Sequence, residues 1–84
     1  MDGLIEGRIC HYVISANDPL PFAHDAGEHR AAIVSGIPSE SGDGVANLTV
    51  FADGRRNGPV LVHRSAVPHD PKGTEGSWHW IERA

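Results

Sequence analysis

The sequence predicts a small all-β domain with five antiparallel strands, and three observations predict it. No window carries sustained i, i+3, i+4 apolar spacing. Short β-branched and aromatic runs recur instead, as a pleated surface favours. The 10 glycines and 6 prolines stand between those runs rather than in a repeat, so they read as turn punctuation.

The first strand is expected over Arg8–Ile14, after Gly7. Alternation puts Ile9 and Val13 on one face and Cys10, Tyr12 and Ile14 on the other. Both faces are partly apolar, which suits a central strand with one face on the core and one toward a partner or pocket. Ser15 to Glu28 follows as a loop of 14 residues, in which Asn17-Asp18-Pro19 and Leu20-Pro21 disfavour helix and central strand. A loop this long in a compact domain is commonly functional. The second strand is expected over His29–Gly36. Pro38 to Gly44 is expected as an exposed turn, and Ala46–Phe51 as the third strand.

Asp53-Gly54 is a strong hairpin dipeptide, and Pro59–His63 is expected as a short fourth strand. Ser65 to Gly76 is irregular. Trp78–Ile81 is expected as the fifth strand, with Trp78 and Trp80 on one face and His79 on the other. Pairing of the last strand with the first removes exposed edges. It places Trp78, His79 and Trp80 close to His11 and Tyr12. A long loop after the first strand and a short turn before the last are features of an SH3-like barrel, and that is the architecture expected for the single domain over residues 1–84.

Length and charge bound the rest. An 84-residue chain is one domain with a thin core. Such domains are often helped by oligomerisation, metal or disulfides. Cys10 is the only cysteine, so no disulfide forms within the chain, and its place in a strand reads as a small buried hydrophobe. With no disulfide framework and no signal-peptide pattern at Met1–Arg8, a soluble, cytoplasmic protein is expected. No apolar run approaches the ~20 residues of a membrane helix. The 7 basic against 11 acidic residues, net charge −4, argue against general nucleic-acid binding.

Six histidines stand out: His11, His24, His29, His63, His69 and His79. No pair shows a recognised zinc-ligand spacing, so no metal and no other cofactor is expected. No nucleophile elbow, phosphate loop or dinucleotide fingerprint is present, and no catalytic residue is assigned. His11 and His79 could act as an acid–base pair across neighbouring strands, but binding without catalysis is the expectation. The candidate ligand-binding group is Arg30, His11, Tyr12, His79, Trp80 and Trp78. Aromatic planes beside Arg and His suit a stacked base with its phosphate. The plainer alternatives are a Trp in the core, an Arg30–Glu28 ion pair, and an Asx turn at Asp70.

Three stretches form a motif series: Gly7-Arg8-Ile9-Cys10-His11-Tyr12-Val13, Glu28-His29-Arg30-Ala31-Ala32-Ile33-Val34 and Asn47-Leu48-Thr49-Val50-Phe51. Val67-Pro68-His69-Asp70 and Gly76-Ser77-Trp78-His79-Trp80 complete it. Over most of its length the chain resembles a family of small tailed-phage and prophage proteins. The chain differs at His29, where that family often has Cys, at Ile81, where Pro is usual, and at His69, where Tyr is frequent.

The resemblance implies a viral protein of a binding or structural class. The leading expectation is an anti-defence protein of the host cytoplasm. It would sequester a nucleotide-derived immune signal, a cyclic ADP-ribose isomer or a cyclic oligonucleotide, as a homo-oligomer. One alternative is a capsid decoration protein of the virion. The other is an inhibitor of a host defence enzyme, acting through acidic loops at Asp25–Glu28 and Glu40–Asp43.

Overall fold

The computed structural model describes residues 3–38 and 43–81. Among the described residues five strands form: β1 (Ile9–Val13), β2 (His29–Gly36), β3 (Ala46–Phe51), β4 (Leu61–Val67) and β5 (Trp78–His79). They lie in one antiparallel sheet ordered β4-β3-β2-β1-β5. β2 and β3 take the expected bounds. β4 starts and ends later than expected, and β5 is only two residues long. The connection before β4 is longer than a tight hairpin. Asp53, Gly54, Arg56 and Asn57 all have positive φ there, and Arg55–Asn57 forms a 3-10 turn. Of the acidic segment expected at Glu40–Asp43, only Asp43 falls among the described residues.

The expected SH3-like barrel is not formed: the sheet is open. The segment after β4 meets β5 at an isolated parallel bridge, His69 to Trp78. The chain itself prevents a continued ladder. Ala66 takes φ +53°, and Pro68 and Pro71 have no N–H to donate. What remains is a brief exchange, with the Trp78 N–H donating to Pro68 O at 3.0 Å and the Asp70 N–H to Trp78 O at 2.9 Å.

One face of the sheet makes the core. Cys10, Tyr12 and Ile14 meet Ala32 and Val34 of β2, Ala46, Leu48 and Val50 of β3, and Val67 of β4. Trp78 closes the β5 end, fully buried, with its indole N–H donating to Gly44 O at 2.8 Å. The long loop is fastened to this core at two points. Phe22, in a 3-10 turn over Phe22–Asp25, stacks on Tyr12 at a centroid separation of 6.4 Å. Buried Asp18 accepts the Tyr12 hydroxyl at 2.8 Å and the Ser15 N–H at 2.9 Å, and it forms an ion pair with Arg64 at 2.9 Å. A buried carboxylate needs such partners.

The opposite face is largely uncovered, with Val13 and His79 the buried positions on it. One cross-strand row runs Ile9, Ile33, Thr49, His63, and a second starts His79, His11, Ala31. Phe51 pairs with Leu61 on the same side. None of these positions carries a formal charge, and Ile9 and Leu61 are half exposed. An antiparallel sheet can leave one face to water, but polar residues are then the usual occupants.

Candidate metal centre

Strand register builds the site. His11 is the middle residue of β1, and His79 is directly opposite it on β5. His29 opens β2 opposite Val13, two residues along β1 from His11. Residues paired across strands, or two apart along one, share a face. Three adjacent strands thus each contribute one imidazole to the uncovered side.

One ring nitrogen from each of His11, His29 and His79 lies within 4.8 Å of the other two. The ring centroids are 4.8 Å apart for His29–His79, 5.6 Å for His11–His79 and 6.3 Å for His11–His29. The rings meet edge to face. Zinc–nitrogen bonds of about 2.0–2.1 Å in a tetrahedron set nitrogens about 3.4 Å apart. The trio must therefore draw in by about 1.4 Å at most, a modest rotation of imidazole side chains. His79 is buried, His11 half-buried and His29 exposed. The Nδ1 of His11 is buried with no hydrogen-bond partner. A buried nitrogen in that state is costly unless something binds it.

The segment before β5 holds one wall. The Gly76 N–H donates to Val13 O at 2.8 Å, and the Val13 N–H to Ser77 O at 3.0 Å. Gly73 takes φ +76°, which favours glycine, and a Cβ there would make ordinary contact with His29 Cε1 at 3.4 Å and Val13 Cγ2 at 4.0 Å. Asp70 shapes the turn as the expected Asx cap, accepting the Lys72 N–H at 2.9 Å and the Thr74 hydroxyl. Those hydrogen bonds, Thr74 first, hold its carboxyl below the usual carboxylate range.

The sheet divides the six residues expected to bind a ligand. His11 and His79 lie on the uncovered face and belong to the cluster. Tyr12 and Trp78 are core residues without an exposed ring face. Trp80 is half-buried, packed edge to face on Trp78 at 4.8 Å, with the Arg8 guanidinium 4.1 Å from its ring centre. Arg30 pairs with Tyr12 in register, so it lies on the core side. It donates to Phe51 O at 3.1 Å and forms, at 3.2 Å, the ion pair with Glu28 that was the plainer alternative to a ligand role. The described residues enclose no cavity. Cys10 lies on the core side as well, and burial pushes its thiol up to about 11, which keeps it protonated and unreactive.

His29 is the member that sequence reading missed. The signal was positional: His11 and His79 already fell on adjacent strands, and His29 opens the strand on the other side of β1. Spacing along the chain does not show this, because the ligands are joined by hydrogen bonding between strands and not by a motif. Comparison with protein-family models, with curated proteins and with solved structures found no match. The likeness to tailed-phage proteins thus rests on the motifs alone.

Proposed function

We propose that this domain binds a divalent transition-metal ion, zinc foremost, through His11, His29 and His79. The observation that carries this reading is the convergence of three imidazoles from three adjacent strands, their donors within 4.8 Å. Imidazole suits zinc, copper and nickel, and zinc imposes the least geometric demand of these ions. The ion also has a structural task. β5 is a short strand that pairs with β1 at two residue pairs, and a shared ion ties β5, β1 and the start of β2 together. Metal staples of this kind compensate for thin cores in short chains.

The nucleotide-sequestration reading drew on Tyr12 and Trp78 as stacking planes, and both rings are covered. His11 and His79 remain available to it, but on the side of the sheet opposite Arg30 and Trp80.

The test is zinc titration of chelator-treated protein, followed by native mass spectrometry and competition with a zinc indicator. One zinc per chain is expected. His29→Ala changes an exposed side chain, so its circular dichroism should match the parent. Its zinc affinity should fall by more than the roughly 10–100-fold that losing an outer partner of a ligand costs. Zinc at 100 times its Kd should add about 2.7 kcal/mol of stability to the parent alone. Parent protein that takes up neither zinc, nickel nor cobalt overturns the reading.

A further inference from the structure

We propose that the ion held by His11, His29 and His79 keeps one coordination position open to solvent and takes a small monodentate anion there. This rests on the metal-binding reading above and adds the chemistry of the ligand.

Coordination number is the first argument. Among the described residues the cluster offers three donors. A tetrahedral ion therefore has a fourth position, which is the arrangement of an open and not a closed zinc site. Access to that position follows from burial. His79 is buried, His11 half-buried and His29 exposed, so solvent reaches the cluster from the His29 side.

Charge is the second argument. Three neutral imidazoles leave the ion's +2 uncompensated, and a bound cation is then the dominant local charge. Among the described residues, the outward positions of β1, β2 and β3 supply no carboxylate. Ile9, Ile33, Thr49 and Phe51 are uncharged. The acid next to His29 in sequence, Glu28, is committed elsewhere: it accepts from Arg55 at 2.7 and 2.9 Å and from Arg30 at 3.2 Å. Asp70 is closed into its own turn by Lys72 and Thr74. An anion from outside fills the vacant bond and lowers the uncompensated charge.

Cobalt(II) replaces zinc and reports its own coordination by visible absorption. The experiment is to load the full chain with one equivalent of cobalt and titrate with sodium azide at constant ionic strength. Perchlorate serves as the weakly coordinating control. A cobalt band that shifts saturably to one azide per metal, with no response to perchlorate, supports the proposal. His63→Ala, on the same face but outside the cluster, should give the same titration, and His29→Ala should abolish the band. A cobalt band that azide leaves unchanged overturns the proposal while the metal-binding reading stands, because a protein group then fills the fourth position. A change in oligomeric state on metal loading, with the same azide indifference, identifies that group as one from a second copy. Absence of any cobalt or zinc uptake removes both.

Discussion

The two sides of β1 are built from alternate residues of one short run and have opposite fates. Cys10 and Tyr12 are buried in the core, as is Ile14 just past the strand. Ile9 is half exposed and His11 half-buried on the other side, where only Val13 is covered, by the loop that ends in β5. The inner side carries the burial that holds the fold together. The outer side contributes little to that, which leaves it free to gather three histidines among uncharged neighbours. Stability and function are separated by the period of two along a strand.

That separation can be broken most forcefully from the inside. Trp78→Ala removes the largest buried side chain and the hydrogen bond to Gly44, and a cost of about 3–5 kcal/mol is expected in urea unfolding. That is a large share of the roughly 5–15 kcal/mol by which a native domain is held. An unchanged midpoint would mean that the β5 end is not part of the core.

A smaller effect comes from pH. Burial raises the Cys10 thiol from 9.0 to about 11. Burial, and then the hydrogen bond to Asp18, raises the Tyr12 hydroxyl from 10.0 to about 12. Both folded values lie above the unfolded ones, so the native state favours the protonated forms. Their contribution is complete below pH 9 and is lost as the pH climbs through about 11 and 12. Thermal melts from pH 8 to 12 should show this decline. Tyr12→Phe should flatten its upper part. At neutral pH the same change should cost about 1–3 kcal/mol, because buried Asp18 loses a donor.

The smallest expected effect is on the outside. Ile9→Thr, on the uncovered face, should move stability by no more than about 0.5 kcal/mol. It should leave zinc affinity intact. A large loss of stability would show that this face is covered in solution, and the change should then alter the sedimentation coefficient.

Much of the fold could be read directly. β2 and β3 fall where β-branched runs and turn residues place them, and the Trp78 and His79 alternation is as the parity of the run implies. Pairing of the last strand with the first also followed, since an exposed edge has to be managed. The barrel did not follow. Closure depends on whether β4 can continue past Val67, and that is decided by Ala66 at positive φ and by Pro68, where no ladder can be extended.

The candidate site was half legible. His11 and His79 were singled out, but for a nucleotide and alongside Tyr12, Trp78, Trp80 and Arg30, which the sheet puts on its other side. Local pattern determines which residues share a face of one strand. It does not determine which strands are neighbours or in what register, and a three-histidine cluster exists only through register. By itself, then, the sequence determined an all-β chain, its alternation and its buried Cys10. The open sheet, the burial of Tyr12 and the meeting of His11, His29 and His79 were decided by tertiary structure, because hydrogen bonding between strands places side chains that the chain leaves far apart.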